Sequence, residues 1–84
     1  MADIFVYIVQ SKGGFYHVRF RLSPEEYLKD LEGGEREGYS LTKSFRVSPN
    51  VLGEVFDECS EFGRKRISLG ELEKKIQILI NAGK

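Results

Sequence analysis

The chain has one cysteine, one histidine, no tryptophan and two prolines. Each scarcity removes a class of protein. The lone Cys59 cannot close an internal disulfide, which excludes a scaffold stapled by its own bridges. One His and one Cys do not supply the roughly four nitrogen or sulfur ligands of a structural zinc site. The acids, such as Glu25, Glu26, Glu35, Glu37, Asp57, Glu58 and Glu61, fall where exposed helix faces and loops want them, so no metal is expected. Charge of one sign is also missing: 13 Lys and Arg balance 13 Asp and Glu. A uniformly basic nucleic-acid binder is therefore not supported, although a local patch is compatible with neutrality.

Long apolar runs are absent too. The longest, Ile4 to Val9, is far short of the ~20 residues that span a bilayer, so no membrane is expected. The opening Met-Ala-Asp carries no basic, apolar or cleavage-like stretch. With the single cysteine, this points to a reduced, cytoplasmic setting. Cys59 sits on the apolar stripe of a predicted helix and reads as core filler rather than a reactive thiol.

Catalytic constellations are equally sparse. His17 and Cys59 fall on different predicted elements, and no spacing joins them as a base and a nucleophile. No Gly-Lys-Ser/Thr follows a strand, and no GxGxxG occurs. The glycines read as turns and helix stops. No enzyme and no cofactor are expected.

What is present is ordinary globular material: 40% hydrophobic and 31% charged residues over a length of 84. One domain spanning residues 1–84 is expected. Ile4 to Val9 reads as a strand apolar on both faces. Ser11-Lys-Gly-Gly14 is turn chemistry. Phe15 to Leu22 alternates, with Tyr16, Val18, Phe20 and Leu22 on one face and Phe15, His17, Arg19 and Arg21 on the other. Ser23-Pro-Glu-Glu26 opens a helix whose buried edge is Tyr27, Leu28 and Leu31, and Gly33-Gly34 is expected to stop it. Glu35 to Gly38 then reads as a connection. A third strand covers Tyr39 to Val47, with Leu41, Phe45 and Val47 on one side and Thr42, Ser44 and Arg46 on the other.

Ser48-Pro49 opens a second helix on Val51, Leu52, Val55, Phe56, Cys59 and Phe62, which Gly63 ends. Ser68-Leu-Gly-Glu71 is a capping box for a third, on Leu69, Leu72, Ile76, Leu79 and Ile80, with Gly83 as its stop. Arg64-Lys-Arg-Ile-Ser68 resembles a basophilic kinase site, but the cap role explains Ser68. The fold class is α+β: a small antiparallel three-stranded sheet packed with three helices, in the order ββαβαα.

Hairpin register decides which residues share a face. A two-residue loop places Phe5, Tyr7 and Val9 with Tyr16, Val18, Phe20 and Leu22. It leaves Ile4, Val6 and Ile8 with His17, Arg19 and Arg21. A three-residue loop instead puts Phe5 and Tyr7 with His17, Arg19 and Arg21. Two-residue loops are commoner, so the first arrangement is expected.

The basic positions alone rise above background. His17, Arg19, Arg21 and Arg46, with Phe15 nearby, form a strip across the sheet, and Arg64, Lys65 and Arg66 form a second cluster. The expected function is a non-enzymatic protein-interaction or regulatory module, acting on a protein partner or by self-association through this apolar and basic face. The alternative is a nucleic-acid-binding accessory protein that uses the same strip.

Overall fold

A computed structural model describes residues 3–82 of the chain. The order is β1 (Ile4–Gln10), β2 (Tyr16–Arg21), α1 (Pro24–Glu37), β3 (Ser40–Val47), a 3-10 turn (Pro49–Val51), α2 (Leu52–Gly63) and α3 (Leu69–Ala82). The α+β class and the ββαβαα order are thus observed. The chain divides into two compact units, Ala2–Arg46 and Val47–Lys84.

The first unit is built on an antiparallel sheet in the order β2-β1-β3. Central position explains why β1 is apolar on both faces: Ile4, Val6, Tyr7, Ile8 and Val9 are all buried. Its pairing with β2 sets Phe5 opposite Arg21, Tyr7 opposite Arg19 and Val9 opposite His17. This is the three-residue register, not the two-residue one that frequency favours. The Ser11 amide donates to the Phe15 carbonyl (2.8 Å), leaving Lys12, Gly13 and Gly14 as the loop. Gly14 takes φ +87°, the left-handed third position that such a loop demands.

The energetic reason lies on the other face. The observed register leaves Ile4, Val6, Ile8, Val18 and Phe20 together without a charge. The alternative would set Arg19 and Arg21 among buried aliphatics, and removing unpaired cations from water is costly.

Helix α1 lies on the cation-bearing face. Ser23 Oγ caps it by accepting from the Glu26 amide (3.2 Å). The helix does not stop at Gly33-Gly34. It runs on to Glu37 and closes at Gly38, which takes φ +95°. Gly38 donates to Glu35 O and Tyr39 to Gly34 O (2.7 Å), the paired bonds of a Schellman end. A left-handed residue was needed there, whereas Gly33 and Gly34 adopt ordinary helical backbone. Leu28 is exposed rather than part of a buried edge, and α1 has no buried residue at all. Leu22 and Tyr16 are exposed as well, since β2 is an edge strand. In β3, Phe45 and Val47 are buried, while Leu41 is exposed.

The second unit is a helical pair. Ser48 caps the 3-10 turn, which passes into α2. Ser68 and Glu71 form the reciprocal capping box of α3: Ser68 Oγ accepts from the Glu71 amide (3.2 Å), and the Glu71 carboxylate accepts from the Ser68 amide (3.4 Å). Val55, Leu72 and Ile76 are fully buried. Phe56 leaves the expected apolar stripe and is exposed. Gly63 is the last residue of α2, but the left-handed residue falls at Lys65, φ +61°. Gly83 lies outside the described residues.

Candidate functional site

The site is built on β1, the central strand. Alternation points Phe5 and Tyr7 toward α1, and cross-strand pairing brings Arg21 and Arg19 beside them. On α1, Tyr27 and Asp30 are one turn apart and share the inward stripe. Tyr27 stacks on Phe5 (centroids 5.1 Å, planes 10° apart) and meets Tyr7 edge-on (5.0 Å).

Asp30 completes a polar latch beside this aromatic stack. Its Oδ2 accepts from the Tyr7 hydroxyl and from Arg21 Nη2, the latter at 2.6 Å. Arg21 Nη1 also donates to the Phe20 carbonyl (2.7 Å). Burial pushes the Tyr7 phenol up to about 12, and its bond to the Asp30 carboxylate adds to the shift. The donated phenol proton, more than the neighbouring Arg21 charge, holds the Asp30 carboxyl below its ordinary value. Phenol and guanidinium therefore keep Asp30 ionised and satisfied.

The expected strip is thus a set of engaged groups. Arg21 is committed to Asp30. Arg19 lies over the Tyr39 ring at 5.4 Å, and the His17 ring meets the same ring edge-on at 5.7 Å. Arg46 lies over Phe5 at 5.4 Å, on the side of the sheet that carries α1. Phe15 is 70% exposed at the hairpin end. In the other unit, Arg66 pairs with Glu61 (3.4 Å), and Arg64 and Lys65 are exposed in the link between α2 and α3.

Sequence reading missed Tyr7, Asp30 and Tyr39. Asp30 left a legible trace: it is a carboxylate within the same helical stripe as Tyr27 and Gly34. Tyr7 and Tyr39 became assignable only once the register and the Gly38 helix end were known.

A cleft of about 210 Å³ opens beside the latch, with Tyr7, Arg19, Lys29, Gly33 and Tyr39 among its walls. A smaller one of about 150 Å³ shares Val9, Asp30, Gly34 and Tyr39 with it and adds Leu31 and Leu41.

Burial, with the nearby Glu58 carboxylate, pushes the Cys59 thiol up to about 11, which opposes formation of the thiolate. Among the described residues no three His, Cys, Asp or Glu side chains are grouped to hold a metal. Among them, too, no helix is long and apolar enough to cross a membrane. The chain matches no protein-family model, and no curated protein or solved structure shows significant similarity to it.

Proposed function

We propose that the protein is a non-enzymatic, cytoplasmic interaction module that self-associates through the hairpin end bearing Phe15 and His17. The observation that carries this reading is Phe15, a large aromatic ring 70% exposed at the hairpin end, with the exposed His17 two residues further on. Large aromatic side chains are enriched at interface centres. The surplus of exposed apolar residues on a small domain supports the same reading, because a shared interface adds burial that a short chain lacks.

The nucleic-acid alternative is weaker because, Phe15 apart, the rings beside the cations are engaged. Base stacking needs open ring faces. Tyr7 is buried, and Phe5 has Tyr27 stacked on it and Arg46 over its ring. Tyr39 already carries Arg19.

Light scattering of the wild type and Phe15→Ser, at low and high salt and with a short single-stranded RNA, tests the proposal. The expected result is a dimer mass that survives high salt, ignores RNA and falls to the monomer in Phe15→Ser. A monomer whose mass rises with RNA only at low salt would transfer the assignment to nucleic-acid binding, since phosphate contacts weaken steeply with salt.

A further inference from the structure

The two adjoining clefts between α1 and the sheet have complementary chemistry. The larger is walled by the cations Arg19 and Lys29, by the Tyr39 ring and by the carboxylates Asp30 and Glu37. The smaller is walled by the apolar Val9, Leu31 and Leu41, with Asp30 and Glu35 also lining it. Among the described residues, neither Arg19 nor Lys29 has a carboxylate within ion-pair distance. The Arg19 guanidinium is nevertheless held in place over Tyr39. Asp30 feels the Arg19 charge, but among the described residues no carboxylate contacts Arg19 directly, and a positioned cation with no direct ion pair can receive an anion.

The glycines supply the second observation. Gly33 and Gly34 sit inside α1, where each costs roughly 1 kcal/mol against alanine. Neither has the positive φ that would require glycine. A Cβ at Gly33 would meet nothing within 4 Å, and one at Gly34 would make only ordinary contact with Tyr39 (3.5 Å). Packing and backbone therefore give no reason for either residue. Both line the larger cleft, and their missing side chains keep it open.

The geometry points to a binding site for a small monocarboxylate with a short apolar tail. The carboxylate lies against Arg19 and Lys29, and the tail passes Tyr39 toward Val9, Leu31 and Leu41. The two clefts together reach the lower end of the ~300–1,000 Å³ usual for small-ligand sites. A single negative charge fits better than a dianion. Asp30 is matched by Arg21 at 2.6 Å, but the nearby Glu37 carboxylate repels additional negative charge.

Hexanoate titration followed by amide NMR and calorimetry tests the site, with hexanol and inorganic phosphate as probes that lack the charge or the tail. Saturable shifts centred on Arg19, Gly33, Gly34 and Tyr39 are expected, with hexanol weaker and phosphate silent. Arg19→Gln should weaken hexanoate by about tenfold, the equivalent of one charged hydrogen bond. Gly33→Ala should weaken binding while raising Tm, an opposition that a merely structural glycine would not produce. The site is overturned by an absence of saturable shifts at the highest soluble concentration, by hexanol binding as well as hexanoate, or by Gly33→Ala binding undiminished. Phe15→Ser must leave hexanoate binding intact, so loss of self-association and loss of the site are read separately.

Discussion

In the helical unit, Val55, Leu72 and Ile76 lose all contact with solvent, whereas α1 of the sheet unit has no buried residue. Its hold on the sheet comes from one aromatic stack and one phenol–carboxylate–guanidinium latch. The helical unit relies on non-directional apolar burial, with caps marking where its helices begin. Within the sheet unit, whose strand β1 is itself buried, α1 relies on a few directional contacts, each with a required geometry. Side chains with several apolar neighbours tolerate small shifts, while a latch of three groups is either made or broken.

The contrast is sharpest under truncation. Ile76→Ala in α3 should cost roughly 2–5 kcal/mol, the range for deleting a buried aliphatic and leaving a cavity. Leu28→Ala in α1 should cost less than about 0.5 kcal/mol, because that side chain is 60% exposed. Urea denaturation of both variants measures the difference. Comparable losses would mean that Leu28 is buried in solution, and the comparison between the units would fail.

The latch is probed next by Tyr7→Phe, which removes one hydroxyl and keeps the ring contacts with Tyr27. A loss of about 1–2 kcal/mol is expected, because the bond is made to a charged acceptor. The pH dependence separates this bond from simple packing. The Tyr7 proton is held more tightly in the fold than in the unfolded chain, so its contribution is complete below the phenol's ordinary value of 10.0 and is lost as pH rises toward about 12. Asp30 behaves in the opposite sense. Its folded pKa lies below the carboxyl's ordinary value of 3.8, so its contribution is present above 3.8 and is lost as pH falls through the lowered value. Tyr7→Phe should therefore show a flatter stability profile than wild type above pH 10 and also below pH 3.8. Parallel profiles would mean that the hydroxyl contributes nothing through Asp30.

The same contrast explains what could be read from the chain. Helix starts were legible because caps are local: Ser23 and Ser68 accept the Glu26 and Glu71 amides of their capping boxes, whereas Ser48 caps a 3-10 turn and α2 begins beyond it at Leu52. The apolar stripe of α3 was legible because Leu72 and Ile76 repeat at helical spacing. The register was not, because a single loop residue decides it and Ser11-Lys-Gly-Gly14 permits either loop length. That choice then determined whether Tyr7 met the arginines. Gly33-Gly34 misled for a related reason: glycine permits a left-handed residue without requiring one, and Gly38 filled that role five residues beyond Gly33. Of the candidate site, the cations were visible in the sequence, whereas their commitments to Asp30, Tyr39 and Phe5 followed from tertiary pairing.

The smallest effect concerns the link between α2 and α3, where residue type and backbone are mismatched. Arg66 donates to Glu61 O (3.0 Å) and Lys65 to Phe62 O (3.0 Å), a Schellman end whose left-handed position is Lys65 at φ +61°. A side chain in that conformation costs roughly 1–2 kcal/mol, and glycine relieves it at the expense of greater freedom in the unfolded chain. Two residues earlier, Gly63 occupies helical backbone with no atom within 4 Å of a notional Cβ. Lys65→Gly should therefore raise stability by about 0.5–1 kcal/mol, with Gly63→Ala adding a similar amount. Thermal unfolding of both variants measures it. If Lys65→Gly destabilises instead, the lysine stem makes contacts that outweigh the strain, and directional side-chain contacts govern this end of α2 much as they govern the latch on α1. A gain would mean that the fold carries Lys65 at a cost. The Arg64-Lys65-Arg66 charge would then be the feature to test for a partner, by comparing Lys65→Gly with the charge-reversing Arg64→Glu.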